Sequence, residues 1–262
     1  SRSKAKWFSL STAIFVEIIL IALAVAIPFM INDPKRKNEL VNLPEAKVAD
    51  IDVDIEKDAS FVLTMTADNK VSERQSTGEK PITKEELPGR VESSMATKSP
   101  ERRIVYFKGD TSIALENVIA VFDSITKADI DKVGLVVSGK KNAEDPYQLH
   151  LRRFELKLHR QPKTDADVIP SPLPLIVSMP DGDARLMLNG ETISDLSALE
   201  GRLKTVFKDR ENNGVLRSGT NEVEKTVYLK VSKTLRYGDL VKLVETVRAA
   251  GAQPIGFLLD DA

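Results

Sequence analysis

Two patterns of hydrophobic and polar residues divide this chain. Residues 8–31 form a nearly continuous apolar run, whereas the chain after residue 32 alternates short apolar stretches with charged residues. As an α-helix, the 24 residues of the apolar run are about 36 Å long, enough to cross a hydrocarbon core of about 30 Å. The pattern predicts a transmembrane helix over residues 8–31, between a short tail (1–7) and a linker (32–57).

A cleaved secretory signal is the main alternative for this segment. Three basic residues lie in the first six positions, and Ala-Val-Ala at 24–26 resembles a cleavage site. Glu17, in the middle of the apolar run, is atypical of such a signal, so we favour an uncleaved anchor. Charge alone leaves the orientation open, because three more basic residues follow the run at 35–37.

The rest of the chain contains an internal duplication. Residues 105–137, which begin "VYFKGDTSIALENV", align without a gap with residues 227–259, which begin "VYLKVSKTLRYGDL". In each copy a β-rich run precedes apolar positions spaced as on one face of a helix. These positions are Val118, Val121, Phe122 and Ile125 in the first copy and Leu240, Leu243, Val244 and Val247 in the second.

The upstream halves of the two copies correspond more loosely. A strand-like run (61–65 and 174–179) precedes a helical pattern (83–95 and 194–207), with room for a short hairpin between them. The sequence therefore predicts an α+β fold in which two tandem small domains follow the transmembrane helix. Each domain, over 58–140 and 173–262, is expected to be a mixed sheet with two helices on one face.

Residues 141–172 between the copies are predicted to be a strand-like linker. "YQLHLRRFELKLHR" (147–160) alternates apolar and polar residues as a strand does, and a proline-rich stretch follows at 169–175. This strand either pairs with another sheet edge, for example in a partner chain, or forms an extra edge strand of the first domain.

The soluble part lacks the patterns expected of an enzyme. "GLVVSGKK" (134–141) resembles a phosphate-binding loop, but Lys141 replaces the hydroxyl residue that holds magnesium. The two histidines, His150 and His159, would point to opposite faces of one strand, so they predict no metal site. A net charge of -1 gives no reason to expect nucleic acid, and the absence of cysteine excludes thiol chemistry. We expect neither catalysis nor a cofactor.

Glu17 is the unusual residue of the predicted span. Keeping a carboxylate charged at the bilayer centre costs about 3 kcal/mol on insertion scales, and protonating glutamate at pH 7 costs about 4 kcal/mol. Because these costs are similar, an acid at this depth can bind and release an ion; the alternative is that Glu17 only reaches toward the membrane surface. Its helical neighbours, expected to pack near an ion site, are Ala13, Ile14, Leu20, Ile21 and Ala24. One span cannot enclose a pathway, so other subunits are required.

The last strand–helix–strand unit carries the likeness to a known family. "YGDLV" (237–241) and "VRAAG" (247–251) bound a helix, and "IGFL" (255–258) lies in the last strand. With a basic tail and an acidic span, "FVEIILIALAV" (15–25), this pattern resembles the ExbD/TolR family of biopolymer transport proteins. The chain differs from the family pattern in having Glu17 where aspartate is usual, which leaves proton or sodium open, and in carrying two domain copies.

The resemblance implies a subunit of an ion-driven motor in the bacterial inner membrane, with a cytoplasmic N-terminus and periplasmic repeats. Glu17 would carry the coupling ion, H⁺ or Na⁺. The implied partners are a second copy of the chain, a pentameric ring of ExbB/TolQ-like polytopic subunits, and an effector in the periplasm or linked to the outer membrane.

A second hypothesis is a membrane-anchored periplasmic scaffold that binds other proteins and conducts no ion. The sequence also leaves open why the domain is duplicated. The second copy either lengthens the reach into the periplasm or pairs internally with the first, as the two halves of a dimer would.

Overall fold

Strands and helices alternate through the described part of the chain, which in this computed structural model comprises residues 41–57, 59–139, 151–160, 174–180 and 185–259. The predicted transmembrane segment, 8–31, lies outside these residues. Within them, no helix has the length and apolar character needed to cross a bilayer.

Thirteen strands are described. They are β1 (Glu45–Ala46), β2 (Asp50–Ile51), β3 (Val62–Met65), β4 (Val71–Gln75), β5 (Gly78–Pro81), β6 (Val105–Gly109), β7 (Lys132–Gly139), β8 (Leu151–Arg160), β9 (Leu175–Met179), β10 (Leu186–Leu188), β11 (Glu191–Ile193), β12 (Val227–Val231) and β13 (Ile255–Leu259). The α-helices are α1 (Leu87–Met95), α2 (Leu115–Thr126), α3 (Leu196–Asn212) and α4 (Tyr237–Ala249). Short 3-10 helices occur at Val53–Glu56 and Pro100–Arg102.

The helices form where the apolar periodicity predicts them. All eight matched apolar positions of α2 and α4 are buried. Helix α1 begins at Leu87 rather than at residue 83, because a proline in the first turn has no N–H to bond to an earlier carbonyl. Helix α3 begins after Asp195, whose carboxylate accepts a hydrogen bond from the Ala198 N–H at 2.8 Å, and it extends five residues beyond the predicted end at 207.

All thirteen strands belong to one mixed sheet. Its order is β11-β10-β9-β12-β13-β8-β7-β6-β3-β4-β5, with β1 added to β7 and β2 added to β8. The hairpins anticipated early in each copy are present as β4–β5 and β10–β11. The mixed α+β class is therefore confirmed, although the expected separate sheets are joined into one.

Strand β8 makes the connection between the repeats. It runs antiparallel to β7 of the first repeat and parallel to β13 of the second. The alternation correctly predicted a strand over the described residues 151–160. The alternative of an edge strand is wrong, because this strand pairs on both sides within the chain. Because a strand can hydrogen-bond on two sides, β8 pairs with one strand of each repeat. The domain boundaries 58–140 and 173–262 stay a prediction.

One hydrophobic core spans both repeats on the helix side of the sheet. It includes Phe107 and Leu135 of the first repeat, Leu229 and Phe257 of the second, and the apolar faces of the helices. A smaller cluster lies on the other side, which we call the open face. Its members are Ile55, Val62, Ile104, Tyr106, Val136 and Leu151.

The repeats are related by an approximate twofold arrangement about β8. Gly134 of β7 lies opposite Glu155, and its counterpart Gly256 of β13 lies opposite Lys157. The two pairs are thus centred on Leu156. The second copy lies beside the first in one sheet, so the two copies pair internally.

Candidate functional site

The predicted ion site lies outside the described residues. Glu17 and its five expected neighbours, Ala13, Ile14, Leu20, Ile21 and Ala24, all fall before residue 41, where the description begins. The role of Glu17 therefore stays a prediction.

The junction between the repeats is built from backbone hydrogen bonds. Neither α2 nor α4 has a side-chain N-cap. Instead, the first N–H groups of each helix donate to carbonyls of the loop before the other helix. These bonds are Leu115 N–H to Leu235 O (2.7 Å), Glu116 N–H to Lys233 O (3.0 Å), Tyr237 N–H to Ile113 O (2.9 Å) and Gly238 N–H to Thr111 O (3.1 Å). Each repeat thus satisfies helix-end donors of the other.

Tyr237 fills the space at this junction. Its ring meets Phe107 edge-to-face at 5.4 Å between centroids and lies over Gly109, where an added Cβ would be 2.8 Å from the Tyr237 ring. Its buried hydroxyl has no hydrogen-bond partner among the described residues, and burial raises the pKa of Tyr237. The contact places an aromatic side chain of the second repeat in the core of the first.

Residues 41–57, which we call the strap, fasten the start of the described chain to the first repeat. The Asn42 N–H donates to Asp110 at 2.9 Å, and the Asn42 carbonyl accepts from the Thr111 N–H at 3.0 Å. The Pro44 carbonyl accepts from the Ser138 N–H at 2.9 Å, beside the short β1–β7 pairing. The strap therefore contacts the same loop that caps α4.

The strap also contacts the second repeat. The Lys47 N–H donates to the Glu245 carboxylate of α4 at 2.6 Å, and Asp50 pairs with Arg248 at 3.3 Å. Strand β2, β8, α4 and the start of β13 surround a charged cavity of about 210 Å³, lined in part by Asp50 and Lys157. One segment near the N-terminus is thus connected to both halves of the molecule.

A polar cluster lies where the strap crosses the open face of the first repeat. Asp52 accepts a hydrogen bond from the Tyr106 hydroxyl at 2.9 Å and pairs with Arg153 at 2.8 Å. Burial and the Asp52 carboxylate raise the pKa of Tyr106. Lys108, only 6% exposed, has its pKa lowered by burial and by Arg74. These residues are far apart in the sequence, and only the acidic–apolar alternation of "ADIDVDIE" (49–56) could have drawn attention to the strap.

The remaining candidate patterns do not form a site in the described residues. His159 packs edge-to-face against Tyr228 at 5.3 Å, and burial, together with Lys157, lowers its pKa; His150 lies outside the described part. Residues 134–139 of the loop-like motif lie in β7. The described ranges contain no cluster of three or more potential metal ligands.

Comparison with known protein families identifies the family of this chain. The family model described as "Biopolymer transport protein ExbD/TolR" matches residues 10–140 and 151–262. The chain belongs to the ExbD/TolR family. This confirms the resemblance and indicates a general role in biopolymer transport. No curated protein and no solved structure matches the chain.

The two matched segments correspond to the two repeats of this ExbD/TolR protein. The first segment begins at residue 10 and so includes Glu17. The second begins at Leu151, the first residue of β8. Strand β8 thus opens the second ExbD/TolR segment in sequence, while in the sheet it pairs with both repeats.

Proposed function

We propose that this ExbD/TolR protein is a motor subunit that couples an ion gradient across the bacterial inner membrane to work in the cell envelope. Glu17 carries the ion, the N-terminus is cytoplasmic, and the repeats are periplasmic. The observation that carries this proposal is the acidic residue within a span-length apolar run that the ExbD/TolR match includes. Acids at such positions commonly face an ion pathway.

The pathway requires other polytopic subunits. One helix cannot enclose a channel, so we place two spans, one from each of two chains, inside a ring of ExbB/TolQ-like subunits. Moving one charge through 100 mV releases about 2.3 kcal/mol. That energy is sufficient to bias packed helices between two arrangements, and the coupling ion, H⁺ or Na⁺, is the only small species the mechanism needs.

The strap supports a mechanical role for the repeats. It begins at Val41, ten residues beyond the end of the predicted span at residue 31. Its hydrogen bonds reach β7 of the first repeat and Glu245 in α4 of the second. A displacement of the span would therefore pull on both repeats through the strap.

Substitution of Glu17 tests this function in cells. Glu17→Gln keeps the size and polarity of the side chain but cannot exchange a proton, so we expect the variant to co-purify with its ring subunits and to lose envelope function. Glu17→Asp, which keeps the acid, should retain part of that function. Full function of Glu17→Gln, or purification without any polytopic partner, would contradict the proposal and favour the passive scaffold.

A further inference from the structure

The open faces of the two repeats present the same kinds of side chain in the same places. Strand register relates each residue of one face to a residue of the other across β8. The matched pairs are Val62 and Ile176, Tyr106 and Tyr228, Lys108 and Lys230, Val136 and Leu258, and Arg153 and His159. In both repeats the tyrosine ring also lies against a glycine of the next strand, Gly134 or Gly256.

The first of these faces is occupied by one turn of the strap. Asp52 caps the 3-10 helix Val53–Glu56 and contacts Tyr106 and Arg153. Ile55 is fully buried in the apolar cluster of this face. Glu79 and, to a smaller extent, Glu56 raise the pKa of Lys108, against the larger effects of burial and Arg74. The occupant is therefore a carboxylate and an aliphatic side chain three residues later, and the exposed Glu56 follows directly after them.

The second face is not covered to the same extent. Tyr228, Ile176 and Leu258 are partly exposed and Lys230 is exposed, whereas Tyr106 is 4% and Lys108 6% exposed. Among the described residues, no hydrogen bond is formed by the Tyr228 hydroxyl. The open face that is filled in the first repeat is thus accessible in the second.

The second face is also more basic than the first. Lys157 stands where the first face has Glu155, and it lies on the same side of the sheet as His159 and Lys230. Asp131 is the acidic group whose charge reaches His159, and its effect on the His159 pKa is smaller than that of Lys157. An acidic ligand is therefore favoured here by charge complementarity.

We propose that the open face of the second repeat binds an acidic–aliphatic segment of a partner protein. The segment presents a carboxylate to Tyr228 and His159, an aliphatic side chain to Ile176 and Leu258, and a second carboxylate to Lys230. The template for this recognition is the contact that Asp52 and Ile55 make with the first face, with Glu56 next in the sequence. The inference goes beyond the ion-driven function and does not depend on Glu17.

Binding of a short peptide to the full-length chain tests the proposal. The probe is a fluorescent octapeptide with the sequence of residues 50–57, DIDVDIEK, followed by fluorescence anisotropy. We expect saturable binding with a Kd below about 1 mM. Lys230→Glu should weaken binding at least about fivefold, and Tyr228→Phe about tenfold, because its hydroxyl donates to a carboxylate. A peptide with serine in place of the residue equivalent to Ile55 should bind more weakly.

A matched control separates this face from general electrostatic attraction. Lys208→Glu makes the same charge change at an exposed position of α3, in the helix layer, and should leave the Kd unchanged. Equal weakening by Lys208→Glu and Lys230→Glu, or no binding to the wild-type chain, would overturn the proposal.

Two other occupants of the face would also overturn it. Occupation by a second copy of the chain would appear as a dimer in sedimentation that Lys230→Glu dissociates. Occupation by the chain's own residues 161–173 would appear as peptide binding only after their replacement by a glycine–serine linker. Glu17→Gln should bind the peptide as the wild type does, so failure of this proposal and failure of the ion-driven function are distinguishable.

Discussion

Individual residues at the junction between the repeats are under tight steric constraint. Gly109 lies between Phe107 and Tyr237, two aromatic side chains that are fully buried. A Cβ at Gly109 would be 2.7 Å from Phe107 and 2.8 Å from Tyr237. Neither ring can move without disturbing the core, so glycine is required here for close packing rather than for a special backbone conformation.

Gly109→Ala is expected to lower the free energy of unfolding by about 1–3 kcal/mol, because it overpacks this contact. Gly201→Ala is the matched control. Gly201 lies in α3, where an added Cβ meets open space. The better helix propensity of alanine should therefore raise the free energy of unfolding by about 0.5–1 kcal/mol. Urea unfolding of both variants measures the difference. An unchanged free energy of unfolding in Gly109→Ala would show that the Phe107–Tyr237 contact has room for an added methyl group.

Asp110 connects the strap to the junction through its carboxylate. It is 7% exposed and accepts hydrogen bonds from Ser112, at 2.9 Å from the N–H and 2.6 Å from the hydroxyl, and from the Asn42 N–H. Burial alone would raise the pKa of Asp110, but these hydrogen bonds outweigh it and lower the pKa. The ionised form therefore stabilises the fold.

The stabilisation by Asp110 should depend on pH. With a folded-state pKa below that of the unfolded chain, about 4, the contribution is present above pH 4 and disappears as the pH falls through the folded-state value. Asp110→Asn should lower the unfolding free energy by about 2 kcal/mol at pH 7, and by much less near pH 2. Chemical unfolding across this pH range measures the difference in unfolding free energy. Asp209→Asn, at an exposed position, is the control. A deficit independent of pH would contradict the account.

At the scale of elements, the periodic patterns predicted local structure better than pairing. The apolar faces of α2 and α4 and the alternation of β8 depend on neighbouring residues, so they were visible in the sequence. The pairing of β8 with β13 depends on which edge is free in the folded chain, which no local pattern specifies. The same holds for Asp52 and Tyr106, which are 54 positions apart and meet only after the strap crosses the sheet.

Leu156 of β8 tests whether this strand serves both repeats. The residue is fully buried in the shared core, so Leu156→Ala should lower the unfolding free energy by about 2–5 kcal/mol. Amide hydrogen exchange should show protection falling together in β6 of the first repeat and β12 of the second. Lys157 is a partly exposed neighbour, and Lys157→Ala should change neither the free energy of unfolding nor the protection of β6 and β12. Unchanged protection in β12 would mean that β8 stabilises the first repeat alone.

At the scale of the whole molecule, the duplication produces two halves in one sheet with unequal surroundings. Among the described residues, the strap contacts both halves but covers only the open face of the first. The sequence revealed the repeats and the family, because both are carried by contiguous motifs. It did not reveal the shared sheet or the strap contacts, because these join residues far apart in the chain.

In the proposed mechanism, Glu17 carries the ion that drives this ExbD/TolR protein. Its most direct test is ion flux through the complex of the full chain with its co-purified ring subunits, reconstituted in liposomes under an imposed gradient of H⁺ or Na⁺. The wild type should conduct one of these ions, Glu17→Asp should retain measurable flux, and Glu17→Gln should reduce flux to the level of empty liposomes. Wild-type flux through Glu17→Gln would contradict the account.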